Sequence, residues 1–333
     1  MAQTALTDLN FQSAIFKEAL SATFTDALKI YNQMLTPAPD SLISPNQSGY
    51  YASFPFFNAS TDRMTQIASG TDLVPKKLTQ RLDRAAWLER EIAFSSEQIN
   101  AIVAATDPTE EMAVQAGTIL AKEVQFATIS ILTGIFATAL LSTHVLDDSA
   151  NYITVDQLLA AKLKLGDAAN SLSLMLANSK VYGDMITKKI LAEAGANVNA
   201  LETGEVGRAL GMVVGAEDAF TAASSVYKSY LAAPGSVLYK FRNRADQMYT
   251  AKTGARVATP AGIIADFELN RSALASGGVD TFIIRSSFLV HPVGMRFSDS
   301  VTNPSDTDLA TGSNWTKAAT DDKLIKIVQY ISK

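Results

Sequence analysis

Apolar residues recur along this chain in distinct rhythms, and each rhythm predicts a different element. From Asp107 to about Ser142 the spacing is helical. Met112, Ala116, Ile119, Leu120, Val124 and Ala127 share one stripe, after which Ile129, Ile131, Leu132, Ile135, Phe136, Leu140 and Leu141 make the run apolar almost all round. Thr106 or Asp107 can cap it, Pro108 suits the first turn, and Glu110 and Glu111 favour the positive end of the helix dipole. A single helix of this reach spans roughly 50 Å at about 1.5 Å per residue, long enough to organise everything packed on it. A second helical stripe, Phe16, Leu20, Phe24, Leu28, Tyr31 and Leu35, marks residues 1–48 as an arm, with Thr36-Pro-Ala-Pro-Asp40 ending the helix. Nothing in its immediate sequence covers that stripe, so it packs either on its own subunit or on a neighbour.

Residues 49–90 read as a long hairpin. The aromatic run Gly49 to Phe57 is strand-like, and Pro55 belongs on an edge strand, where its missing N–H costs nothing. Lys77 to Trp87 returns beside it, with Leu78, Leu82, Ala86 and Leu88 on one face and Arg81, Asp83 and Ala85 on the other. A two-stranded hairpin is marginal alone in water, so a long one rests on something, often another chain. Residues 91–105 are expected to lead helically into the spine. Beyond it, Thr154 and Gln157 have capping-box spacing for a helix ending near Gly166. Ser171–Ala177 alternates as a strand, Ser179 is placed to cap a helix over 180–192, and two strands follow at Gly207–Gly215 and Val226–Leu238, the latter broken at Ala232-Ala-Pro-Gly235. Residues 245–262 read as loop, Ile263–Asn270 and Val279–Pro292 as strands, 298–322 as loop with a turn at Trp315, and Leu324–Ile331 as a closing strand.

Composition narrows the chemistry. The 333 residues carry 28 Lys plus Arg against 33 Asp plus Glu, a formal charge of −5, which argues against a strongly basic nucleic-acid-binding face. The absence of cysteine removes disulfides, thiolate catalysis and cysteine zinc sites, and two histidines leave little for metal or acid–base work. There is no Walker loop, nucleophile elbow or His-Glu-x-x-His motif. His144, Asp147 and Asp148 lie close together in sequence, but a helix-terminal histidine beside solvated aspartates explains them without a metal. His291-Pro292 reads as a packed strand end, and Asp266, Glu268 and Arg271 as an ion-pairing strand face. No secretory signal opens the chain, so synthesis in a cytoplasm is expected. From Val124 to Leu146 no charged residue occurs, a length sufficient for a bilayer. Yet Gln125, Thr128, Thr133 and His144 would need partners in lipid, no Trp or Tyr flanks the run, and Asp147 and Asp148 follow it, so a buried spine is the better account. No enzyme, cofactor or metal site is expected.

Taken in order, these parts resemble the major capsid proteins of tailed bacteriophages, the Hong Kong 97-type shell fold. Ser53-Phe-Pro-Phe-Phe57 with Lys77-Leu-Thr and Arg84-Ala-Ala-Trp87 is similar to the two sides of that family's extended loop. Asp107-Pro-Thr-Glu-Glu-Met112 through Gly134-Ile-Phe136 is similar to its spine helix. Leu163-Lys-Leu-Gly-Asp167, Ala177-Asn-Ser-Lys-Val-Tyr182 and Tyr230-Leu-Ala-Ala-Pro-Gly235 resemble axial-domain segments. Arg285 to Gly294 resembles the returning strand, and Asn303-Pro-Ser with Asn314-Trp315 the closing segment. The resemblance implies an α+β chain divided into an N-terminal arm (1–48), an extended hairpin loop (49–90), a peripheral domain with the spine helix (91–150), an axial α/β domain (151–275) and returning strands (276–333). It implies self-association as pentamers and hexamers into an icosahedral head around viral double-stranded DNA, assembly in the host cytoplasm, and a place in the virion. Portal and scaffolding or cement proteins would be partners, the packaged DNA would be touched weakly, and no membrane would be involved. Phe54, Phe56, Phe57 and Trp87 are the candidate intersubunit contacts. A cellular encapsulin-like cage around a cargo protein would use the same fold, and a membrane protein using residues 124–146 is the remaining alternative.

Overall fold

A computed structural model describes residues 14–57, 64, 80–95, 108–188, 190, 208–220, 225–243, 254–272 and 279–333. The N-terminal stripe forms α1 (Ala14–Ala27), which buries Phe16, Leu20 and Phe24 at four-residue spacing. The helix stops at Ala27 rather than at the prolines. Leu28 and Tyr31 stay in the core through a tight turn, and Leu35–Pro37 becomes strand β1, parallel to β10 (Val237–Phe241). The spine is α2 (Pro108–Ile135), 28 residues long, or about 42 Å at about 1.5 Å per residue. Glycine brings the two helices together: a Cβ on Gly117 would sit 2.9 Å from the Leu20 carbonyl oxygen and 3.3 Å from the Phe24 nitrogen. On the other side of α1, Phe16 meets Phe267 edge-on at 5.1 Å and Phe24 meets Phe241 at 5.6 Å. The arm's stripe is therefore covered by its own chain.

The spine ends earlier than its sequence suggests. After Ile135 the chain turns, Thr138 is extended (φ −122°, ψ 171°), and 139–144 form a 3-10 turn broken at Leu141. A run apolar on every side carries no periodic cue for where its helix stops. The stop comes from packing: a Cβ on Gly134 would lie 2.1 Å from the Leu309 carbonyl oxygen, and the indole N–H of Trp315 donates to that same oxygen at 2.8 Å. The proposed caps at Thr106 and Asp107 lie outside the described residues, as do the side chains of Glu110 and Glu111. More than half of the most apolar window of Met112–Ile135 is buried inside the fold.

Three sheets surround the spine. The first runs β1–β10–β13–β12–β11, where β11 is Gly254–Ala258, β12 Ile264–Ser272 and β13 Val279–Pro292; β4 (Leu88–Ser95) also pairs with β13. Two expectations are corrected here. Residues 91–95 are strand, not a helical lead, because pairing of Leu88 to Ser95 against the long β13 outweighs the helix propensity of Glu-Arg-Glu-Ile-Ala. Residues 254–258, expected as loop, pair with β12. The second sheet runs β15–β14–β3–β2: β2 (Tyr51–Phe57) and β3 (Gln80–Ala86) are the antiparallel hairpin, with β14 (Met295–Phe297) and β15 (Trp315–Lys317) beside it. The tip between the hairpin strands lies outside the described residues, apart from the exposed Met64.

The third sheet runs β5–β16–β9–β6–β8–β7, comprising Val145–Asp147, Ile327–Ser332, Tyr227–Ala232, Leu174–Ala177, Met212–Ala216 and Arg208–Ala209. Helices α3 (Val155–Leu163) and α4 (Ser179–Thr187) cover one face through Leu158, Ala161, Val181 and Met185, while Leu174, Leu176 and Tyr230 on the other face join the spine's core. The Thr154 hydroxyl caps α3, accepting from the Gln157 N–H at 3.3 Å. Asn178, not Ser179, caps α4, accepting from the Lys180 N–H at 3.0 Å. The expected strand over Ser171–Ala177 begins only at Leu174, because 166–171 form a 3-10 turn. The Pro-Gly break after β9 falls as expected, with Gly235 at φ +70°, and sends β10 into the first sheet. The 298–322 stretch also contains α5 (Asp306–Ala310), opened by a capping box between Ser305 and Asp308.

Candidate assembly surface

Alternation along β2 decides which aromatic side chains leave the molecule. Ala52 and Phe54 point inward, and Phe54 is 1% exposed, edge-on to the His291 ring at 5.1 Å and to Phe56 at 5.6 Å. Trp87, also 1% exposed, lies under the Arg242 guanidinium at 4.6 Å. Arg242 in turn donates to Glu89 and to the Ser287 hydroxyl, both at 2.8 Å, and to the Gly49 carbonyl where the chain enters the hairpin. Phe56 is half-buried, with the Arg81 guanidinium 4.8 Å from its ring. Of the four aromatic contacts expected from sequence, Phe54 and Trp87 thus belong to the chain's own interior. Phe57 does not: it is 70% exposed, and Leu82, opposite Pro55 in the register, is 45% exposed. The outward face of the hairpin is Pro55, Phe57 and Leu82 on a sheet whose last strand, β2, is an unpaired edge among the described residues.

A buried carboxylate sits among the apolar residues of the inward face. Asp83 is completely buried; it accepts from Arg81 Nε at 3.0 Å and from the Gly294 N–H at 2.8 Å, and His291 Nε2 stands 3.8 Å away. Burial pushes the Asp83 carboxyl up, but the histidine, the Gly294 amide and Arg81 together outweigh it and hold it below the usual carboxylate range. Burial is also the largest influence on His291 and drives its pKa below the ordinary imidazole value. The strand alternation gives Asp83 a face but no role; its signal is a charged residue at an inward strand position, which needs a buried partner.

The remaining polar candidates are structural. His144 is buried, with Nδ1 3.0 Å from the Ile327 carbonyl oxygen. Asp147 accepts from the Ser149 N–H and Asp148 from the Asn151 amide. Among the described residues no group of three His, Asp or Glu is placed to hold a metal. Asp266 pairs with Arg256 at 2.7 Å and Glu268 with Arg285, the ion-pairing strand face expected; the Arg271 side chain lies outside the described residues. An open groove of about 830 Å³ runs beside α1, lined by Glu18, Ser21, Asp26, Lys29 and Pro260, without converging catalytic groups.

The described residues thus combine a long spine helix, an ion-paired hairpin base and an exposed apolar hairpin edge at Pro55, Phe57 and Leu82. Residues 11–234 match the Gp13-like family, described as major capsid protein 13-like. The chain belongs to this family of major capsid proteins. It is 26% identical over 310 residues to the major capsid protein of Bacillus phage SPP1, covering 85% of this chain and 83% of that protein. In fold it is similar to the capsid subunits of cyanophage Pam1 (TM-score 0.50, 11% identity, 100% of this chain and 94% of that one) and Ralstonia phage GP4 (TM-score 0.50, 11% identity, 99% and 93%). The major capsid protein is thus a structural component of the phage virion, not an enzyme, and its fold is the Hong Kong 97-type shell fold. Family membership selects the viral shell over the cellular cage and the membrane protein.

Proposed function

We propose that copies of this major capsid protein associate as pentamers and hexamers and close into an icosahedral head around viral double-stranded DNA, with the hairpin reaching onto a neighbouring subunit. The observation that carries the reading is the outward hairpin face, with Phe57 70% exposed at the end of an edge strand while the base beneath it is packed and ion-paired. Such a face gains from burial only in the presence of another chain. The division into arm (1–48), hairpin (49–90), spine-bearing domain (91–150), axial domain (151–275) and returning strands (276–333) belongs to the same proposal. In it the arm braces its own subunit and the hairpin makes the intersubunit contact. Portal and scaffolding or cement proteins would complete the head. A net charge of −5 suits a container that holds its DNA loosely.

The test replaces the outward face without touching the base. Phe57→Ser with Leu82→Ser should give soluble, folded subunits that fail to close into shells under negative-stain electron microscopy. Shells of normal number and size from the double variant would refute the hairpin's role.

A further inference from the structure

We propose that the base of the β2–β3 hairpin is a proton-gated latch, closed while the buried His291 beside Asp83 is neutral and opened by proton uptake on His291. Both side chains are fully buried, one on β3 and the other near the end of β13. Asp83 is fully engaged, by Arg81 at 3.0 Å and by the Gly294 N–H at 2.8 Å, in the turn that follows β13. Gly294 has φ +92°, and a Cβ there would lie 2.8 Å from Ile325 Cγ1, so the turn that offers this N–H is fixed in place. His291 is held less tightly: neither ring nitrogen makes a hydrogen bond of good geometry, its Nε2 stopping 3.8 Å short of Asp83 and the Met295 backbone being the other polar group in reach. A neutral imidazole always carries one N–H, so the closed hairpin holds a poorly satisfied donor that water would satisfy better. The charged groups facing His291 are Asp83 and Arg81, both on β3. β2 presents the Phe54 ring, and β10 pairs His291 with Leu238. The closed state therefore favours the neutral ring.

The direction of the pH effect follows from the two states. When the base opens, His291 meets water and takes an ordinary pKa, near 6.5. In the closed state burial holds it lower. Between those values the open form binds a proton that the closed form does not, so the opening constant rises as pH falls, by up to about tenfold per pH unit, and levels off once the closed form also protonates. Asp83, below the usual carboxylate range when closed, pushes the same way only in stronger acid. The window from neutrality to about pH 5 therefore belongs to His291. An acid-sensitive shell contact would rest on the hairpin reading given above; the opening itself does not.

The experiment is amide hydrogen exchange on the full-length subunit between pH 8 and pH 5, corrected for intrinsic exchange rates, comparing β2 and β3 with β6 in the third sheet. Wild type should show hairpin-base opening that grows toward acid while β6 holds steady, and His291→Gln should abolish the growth. An unchanged pH profile in His291→Gln, or equal growth in β6, would overturn the latch. If that variant fails to fold, the folded chain decides the matter alone. With two histidines in the sequence, His144→Gln leaves one imidazole signal by NMR. Titration of that signal below the ordinary value, together with the hairpin-specific exchange, supports the latch; titration at the ordinary value overturns it.

Discussion

Phe54 and Phe57 are the same residue type three positions apart, and they have opposite roles. Phe54 fills a small core with Trp87, Leu238 and Leu289, whereas Phe57 faces outward. Phe54→Ala should destabilise the subunit by about 3–5 kcal/mol, the usual cost of truncating a buried phenylalanine. Phe57→Ser should change stability by less than about 0.5 kcal/mol, as surface substitutions do, while impairing assembly. Urea denaturation of the two variants checks the contrast directly. The sequence could name this aromatic cluster but not divide it, because Phe54, Phe56 and Phe57 offer aromatic rings to both faces of the strand. The same limit hid Asp83. Alternation placed it opposite Leu82, and hydrophobicity alone would send the leucine inward, yet the ion pair with Arg81 and the Gly294 amide carries the aspartate into the core instead.

Among the elements, those with a local cause were legible and those with a tertiary cause were not. The α1 stripe, the α3 cap at Thr154 and the Pro-Gly break after β9 are each set by residues a few positions apart. The end of α2 is set by Gly134 against Leu309, residues 175 positions apart in sequence by subtraction, and β4 is set by its pairing with β13. One missed element did have a local signature: Ser305-x-x-Asp308 is a capping box in plain sequence. The spine's tight end yields a prediction. Gly134→Val should place side-chain atoms into the Leu309 carbonyl and displace the Trp315 indole, at a cost of at least about 1–3 kcal/mol of overpacking. Thermal unfolding should show a clearly lower midpoint, and Trp315 fluorescence should shift as the ring loses its buried hydrogen bond. An unaltered midpoint would mean that the helix end is set elsewhere.

At the scale of the whole molecule, the two elements that looked adhesive from sequence divide the labour. The arm faces inward: Phe16, Leu20, Phe24, Leu28 and Tyr31 are all buried against the spine and the first sheet. At roughly 1.5–3 kcal/mol each, their burial contributes on the order of 7–15 kcal/mol before entropy is counted, as much as the whole stability of a typical domain. Tyr31 also donates to Glu217 at 2.6 Å, tying the arm to the third sheet, and β1 adds a parallel strand to the first. Removing residues 1–37 would strip the cover from Phe241, Phe267 and the Gly117 face of the spine together. The hairpin differs. Among the described residues, Phe54 seats the hairpin in the small core with Trp87, Leu238 and Leu289, and Phe57 and Gln80 are register partners that a two-residue Asn-Gly turn can join. The arm deletion should therefore be insoluble or lack a cooperative calorimetric transition, whereas the chain closed between Phe57 and Gln80 should stay soluble and unfold near the full-length temperature. A soluble arm-deleted subunit with a sharp transition would show that the arm is an adhesive after all, seated on its own chain only for want of a neighbour.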